Sequence, residues 1–284
     1  MIIERGSLFC DIALAGRVER AEAELVAEAS EAAQRRRGDA TGFVTPVAGG
    51  VASFAGPDSP FNKVAGLGFG GVPDTGDLAV IERGFAARGA PVQVELSHLA
   101  DPEVGNLLTG RGYRLVSYEN VLGRPLVDAP ESGAKGTPPG VEVRLSAADE
   151  LQGWLDVVVE AELQPDTEGL PAEEFPREAL EHAERDLVAA AGTRRYLARR
   201  DGIAAGGASF RVAGSIAQFT GAATLLAHRR RGVQTALLAA RLAAAAAAGC
   251  DLAVITTSPG TKSQQNAQRQ GFDLLYTRAI LVKE

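Results

Sequence analysis

Cysteine is scarce in this chain of 284 residues, which holds only Cys10 and Cys250. Two thiols cannot build a disulfide framework, and their separation matches no metal-ligand spacing, so a reducing compartment is the simpler setting. Histidine is nearly as sparse, limited to His98, His182 and His228. No two are spaced as ligands, and no metal is expected. Positive charge is also in deficit: 29 Lys and Arg against 36 Asp and Glu leave a formal net charge of -7. That argues against a nucleic acid or an anionic membrane as partner, since both need a broad basic face. No charge-free apolar run reaches membrane-spanning length, and the N-terminus lacks a basic segment followed by a sustained apolar one, so a cytoplasmic location is expected. Nucleotide loops are missing too. There is no GxxxxGK[ST], and GLGFGG at 66–71 is neither GxGxxG nor placed before a helix with a suitable acidic residue downstream.

What is present is an ordinary globular composition, with 45% hydrophobic and 23% charged residues. The length suits one large or two medium domains. The stretch PESGAKGTPPG, 130–140, interrupts apolar periodicity and is read as a linker between domains 1–129 and 141–284. Before it, the pattern predicts a long Ala/Glu helix over 11–37 and strands within 42–54 and 63–69. A helix at 77–88, a strand at 91–97, a short helix at 102–111 and a strand at 113–124 follow. After the linker come a strand at 141–145, helices at 147–163 and 177–190, and strands at 194–199, 204–212 and 216–226. A helix at 233–248, a strand at 251–257, a helix at 262–270 and a strand at 272–283 close the chain. The fold class is α/β.

The two halves end alike. Each runs helix, Gly, strand, short helix, Gly-aromatic and terminal strand, with Gly89 to Gly112 one position longer than Gly249 to Gly271 and a shared spacing from Gly112 to Leu122 and Gly271 to Leu281. This self-similarity points to a duplicated domain.

HRRRGVQTALL, 228–238, sets three arginines and a glycine between a strand and a helix. A helix N-terminus carries unpaired N–H groups and the positive end of the helix dipole, so it takes phosphate readily. Gly232 allows close approach, Arg229, Arg230 and Arg231 can add charge-assisted hydrogen bonds, and Thr235 can add a hydroxyl. The same letters at 35–38 follow a long helix, where arginines complement its negative end and Gly38 suits the C-cap.

The C-terminal half, about 139–284, resembles an acyl-CoA-dependent N-acetyltransferase of the GNAT superfamily. The resemblance rests on RRRGVQ, which supplies Arg229 and Gly232 of the Arg/Gln-x-x-Gly-x-Gly/Ala motif with Gln234 at the last place, and on the helix, strand, SQQNAQRQGF and final strand that follow. By the repeat, the N-terminal half resembles a second such domain without the arginine-glycine junction, so it is expected to be degenerate for coenzyme binding. The implied fold is two tandem GNAT-like domains, each a mixed, mainly antiparallel sheet flanked by helices. The implied cosubstrate is acetyl-CoA, its pantetheine arm along Ala223, Thr224 and Leu225 and its pyrophosphate on Arg230, Arg231, Gly232, Val233, Gln234 and Thr235.

The implied reaction is direct attack of a primary amine, small or at a peptide terminus, on the thioester. Many relatives carry a tyrosine five residues before the Phe of Gly-Phe, where this chain has Ala267. Tyr276 and Ser263 are the substitute general acids, with Tyr276 also readable as a core strand aromatic. No carboxylate lies on the strand 216–226. Acidic residues instead gather at Glu160, Glu162, Asp166, Glu168, Glu173 and Glu174, where they are either a solvated face or a means of steering a cationic amine. Trp154 reads as core. The missing tyrosine and base favour the alternative of a non-catalytic acyl-CoA-binding or regulatory protein. The helix 233–248, apolar almost all round, should be covered on more than one side.

Overall fold

The structure, a computed structural model, describes residues 7–38, 41–126, 138–164 and 175–284. Most of the linker and the acidic residues Asp166, Glu168, Glu173 and Glu174 lie outside the described residues. The first helix, α1 (Ile12–Arg37), starts where the Asp11 carboxylate accepts the Leu14 N–H at 2.8 Å. It stops at Gly38, whose φ of 68° lets its N–H reach the Gln34 carbonyl, with Arg35, Arg36 and Arg37 in the last turn. The first RRRG is therefore a helix stop.

The expected strand region 42–54 is a hairpin, β1 (Phe43–Val47) and β2 (Gly50–Phe54), turned at Ala48 and Gly49. Then come β3 (Lys63–Ala65), α2 (Thr75–Ala86), β4 (Val92–Ser97), α3 (Pro102–Gly110) and β5 (Arg114–Pro125). GLGFGG is glycine-rich for packing rather than for a ligand. Gly68 and Gly70 donate to the Ala48 carbonyl, and a Cβ on Gly49 would sit 2.5 Å from the Gly70 nitrogen. The second half holds β6 (Val141–Leu145), α4 (Leu151–Glu162), α5 (Arg177–Val188), β7 (Thr193–Arg200), β8 (Ile203–Ala213) and β9 (Ile216–Thr224). It ends with α6 (Val233–Ala247), β10 (Leu252–Thr257), α7 (Lys262–Arg269) and β11 (Asp273–Lys283).

The strands form one sheet of eleven, in the order β1-β2-β3-β4-β11-β5-β10-β9-β8-β7-β6. It is mixed and mainly antiparallel, with β3–β4 and β9–β10 parallel. The feature that sequence does not announce is an exchange of last strands. β11 pairs with β4 of the first half, β5 pairs with β10 of the second, and the two pair with each other. An approximate two-fold axis passes between β5 and β11 at the Arg278–Glu119 pair, because the repeat offset maps each of these residues onto the other. The two sheets expected from the repeat are thus fused into one, and neither half holds a complete sheet alone.

On one face, α2 and α3 cover the first half and α6 the second. On the other, α1 bridges both: Ala15 and Val18 pack with Ile216, Leu252 and Val254, while Leu25, Val26 and Ala29 pack with Val51, Ala65 and Leu187. Beneath the middle of α1, at the axis, lies a buried ionic network. Arg278, 1% exposed, reaches Glu19 at 2.8 Å, Glu119 at 2.9 Å and Glu95 at 3.5 Å, and Lys63 holds Glu95 at 2.6 Å.

Carboxylates outnumber cations in this network, and that has a pH consequence. Burial, then Glu95, raises Glu119 to about 7, and burial raises Glu19 against the pull of Arg278. For Glu95 the burial penalty is outweighed by Lys63 and Arg278, and its pKa is lowered. A carboxyl whose folded pKa exceeds its unfolded value stabilises the fold fully below the unfolded pKa, and that contribution is lost as pH rises through the folded pKa. Thermal unfolding should therefore show a Tm falling by a few degrees between pH 5 and 8, and Glu119→Gln should flatten the fall. A Tm that climbs steadily to pH 8 would contradict this.

Candidate functional site

The parallel pairing of β9 with β10 ends at Phe219 and Ile255. Beyond it β9 follows β8 and β10 follows β5, so residues 220–224 part from 256–257 and leave a strand edge open. A bulge sharpens the parting: Gly207 faces Ala223 while Ser209 faces Thr220, giving β9 one extra residue around Gly221, at φ 52°. Ala223, Thr224 and Leu225 end this open stretch. Leu225 N–H already bonds the Ala205 carbonyl at 3.0 Å, and the Thr224 carbonyl accepts from Arg229 Nε at 3.2 Å.

The chain then turns through a short 3-10 segment, Leu226–His228, into α6. Gly232 is the N-cap, at φ 82°, and no side chain caps this helix. Its leading N–H groups, on Val233, Gln234 and Thr235, therefore lack the partner that Asp11, Asp101 or Thr261 supplies to α1, α3 or α7. Arg230 and Arg231 are exposed beside them and make no side-chain hydrogen bond or ion pair among the described residues. Arg230 holds a φ of 59°, uncommon outside glycine. Arg229 differs from these two. Its guanidinium turns back to the carbonyls of Ala161 and Gln164 at the end of α4, bracing the loop rather than facing outward. Gln234 also turns inward, at 3.5 Å from Thr224 Oγ1.

The first half answers at the same place with acid. The Asp74 carboxylate caps α2 by accepting the Gly76 N–H at 2.6 Å, and Asp77 lies in the first turn. These carboxylates occupy the positive end of the helix that an anion would need.

On the α4/α5 side of the bulge lies a carboxyl pair. Glu184 of α5 is 9% exposed, and its Oε2 accepts from no donor among the described residues. A Cβ on Gly221 would meet that oxygen at 2.8 Å and Ser209 Oγ at 3.2 Å. Burial and then the neighbouring Glu162 carry the Glu184 pKa well above the carboxylate range, and burial raises Glu162 to about 7. On the opposite face the wholly buried Arg241 of α6 donates to the Ser209 carbonyl at 3.0 Å and lies 4.7 Å from the Phe219 ring centre. Burial pulls it down to about 9, still protonated at neutral pH.

The two expected proton donors are not brought together. Ser263 is exposed in the first turn of α7, just past the C-terminal end of β10. Tyr276 faces α1 instead, 1% exposed, its hydroxyl donating to Glu19 at 2.6 Å, with burial and Glu19 pushing its pKa up. Ala267 is buried in α7. Of the acidic run, Glu162 belongs to the pair above, while Glu160 is ion-paired with Arg177. Trp154 is core, its Nε1 donating to the Tyr196 carbonyl at 3.0 Å. The sequence reading missed Glu184, although its spacing from Leu180 and Leu187 sets it on the inward stripe of α5, and Arg241 sits likewise in the apolar stripe of α6.

Comparison with known proteins bears on the fold. Residues 157–272 match the model of the Acetyltransferase (GNAT) family. Among solved structures, a GCN5-related N-acetyltransferase from Kribbella flavida superposes with a TM-score of 0.63 at 21% identity, covering 90% of this chain and 95% of that one. A tandem GNAT protein from the clavulanic acid biosynthesis pathway gives 0.61 at 14% identity, covering 93% and 94%. A GCN5-related N-acetyltransferase from Sphaerobacter thermophilus gives 0.58 at 16%, covering 94% and 93%. Among curated proteins none matches.

Proposed function

We propose that this chain, a tandem GNAT fold whose residues 157–272 form a GNAT acetyltransferase-family domain, transfers an acetyl group from acetyl-CoA to a primary amine in its C-terminal half. The observation that carries the reading is the uncapped N-terminus of α6, with Arg230 and Arg231 beside it unpaired among the described residues, next to the parting of β9 and β10. The pyrophosphate would lie on the N–H groups of Val233, Gln234 and Thr235 and against the two arginines, while Gly232 packs against the Pro138 ring. The pantetheine arm would follow Ala223, Thr224 and Leu225 along the edge that β10 leaves open, while Arg229 holds the loop to α4. The N-terminal half, its equivalent helix end taken by Asp74, would bind no coenzyme there. It lends the acceptor side of the cleft β5, whose residues 114–119 run past the end of β10. The acceptor is a small molecule or a peptide amine, and the two free thiols fit a reducing, cytoplasmic setting.

Ser263 is the remaining donor for the departing thiolate, since Tyr276 is committed to Glu19. A second reading, an acyl-CoA-binding regulator without turnover, is favoured by Ala267 standing where relatives carry tyrosine. Free-thiol release from acetyl-CoA across a panel of amines separates the two. Release that depends on the amine is expected, and saturable binding with no release from any amine would leave the regulator.

A further inference from the structure

Glu184 is a buried acid that packs over Gly221, in the stretch of β9 that β10 leaves unpaired. Its Oε2 accepts from no donor among the described residues, and Gly221 beneath it has no Cβ to come within 2.8 Å of that oxygen. The charged groups around it do not neutralise it. Glu162 faces it from α4, whereas on α1 Glu28 is taken by Arg211 and Arg36 by Asp186, and Glu22 lies near Gln218 and Arg278. Ser209 and Thr220 offer uncharged hydroxyls that bond each other at 2.8 Å, and Arg241 lies on the other face of the sheet, held by backbone carbonyls. A carboxyl pair with no counter-ion among the described residues, packed over the unpaired stretch of β9, suits a cation that can give up a proton.

We propose that Glu184, seconded by Glu162, binds the acceptor as an ammonium ion and takes its proton. This rests on the acetyl-transfer reading above. One N–H proton passes to the Glu184 carboxylate, and the freed nitrogen lone pair forms the C–N bond at the thioester carbonyl. Collapse of the tetrahedral intermediate breaks the C–S bond, the thiolate takes the Ser263 hydroxyl proton, and Ser263 recovers it as the second amine proton. Glu184 then returns its proton to water, so one proton is released per turnover of a cationic amine.

The test uses the full-length protein, acetyl-CoA, and n-butylamine, cadaverine and triglycine as probe amines. Glu184→Gln keeps the shape of the side chain. It should lower kcat by about 100-fold or more while leaving the acetyl-CoA Kd unchanged. Glu162→Gln removes the neighbour that raises Glu184, so the acid limb of kcat/KM should move to lower pH, a shift that a merely structural role would not produce. Wild-type turnover with an unimpaired Glu184→Gln variant and an unmoved acid limb overturns this inference alone. So does loss of acetyl-CoA affinity in Glu184→Gln, whereas wild-type binding of acetyl-CoA without release from any probe amine overturns the transfer reading and this inference with it. Wild-type protein that binds no acetyl-CoA overturns the transfer reading and this inference with it.

Discussion

Gly232→Asp should lower acetyl-CoA affinity by at least about 100-fold, some 2.7 kcal/mol, whereas Gly38→Asp should leave it nearly intact. Three effects add at Gly232. Its φ of 82° strains any L side chain, a Cβ would run into the Pro138 ring, and a carboxylate there would oppose the phosphates on the leading N–H groups of α6. Gly38 has a similar φ of 68°, but nothing lies within 4 Å of its Cβ position, and it ends α1 rather than opening a helix. The cost at Gly38 is then paid in stability alone, about 1 kcal/mol. Gly232→Ala, which keeps the strain and the clash without the charge, separates electrostatics from packing. Equal losses of affinity at positions 232 and 38 would remove the distinction between the two RRRG copies.

Arg278→Ala should cost about 3–5 kcal/mol of stability, measured by urea unfolding. A single guanidinium answers Glu19, Glu119 and Glu95 at the seam where β11 and β5 cross between halves, and removing it strands carboxylates beneath α1. Lys63 keeps only Glu95 compensated. Because the network is coupled, adding Glu19→Gln to Arg278→Ala should recover part of the loss, which separates stranded charge from lost packing. The seam is where both halves complete their sheets, so unfolding should stay a single transition in the wild type. A loss below about 1 kcal/mol would show the pairs to be no more than surface-like.

Local structure was legible because each element carries its own signals. Asp11 and Gly38 bracket α1, Gly249 and Gly271 bracket β10 and α7, and the apolar periods between them fix type and extent. The loop geometry at Gly232 was equally readable, since a strand, a glycine and an Ala/Leu helix permit few alternatives. Strand exchange was not, because β5 and β11 have matching patterns and either could complete either half. The pairing that wins buries Arg278 against Glu119, a long-range choice no window of sequence contains. The carboxyl pair was missed for the opposite reason. Glu184 sits among Ala183, Glu181 and Arg185, where a helix-surface acid is the usual reading, and only α4 and the bulge at Gly221 convert it into a buried group.

The most direct measurement is calorimetric titration of the purified protein with acetyl-CoA and, in parallel, with S-acetylpantetheine, which keeps the thioester and lacks the pyrophosphate. Binding of acetyl-CoA with at least a 100-fold loss for the truncated thioester is the expected result, since the α6 N-terminus, Arg230 and Arg231 would then supply most of the affinity. Equal affinity for both, or binding of neither, would contradict the assignment of that helix end to the coenzyme.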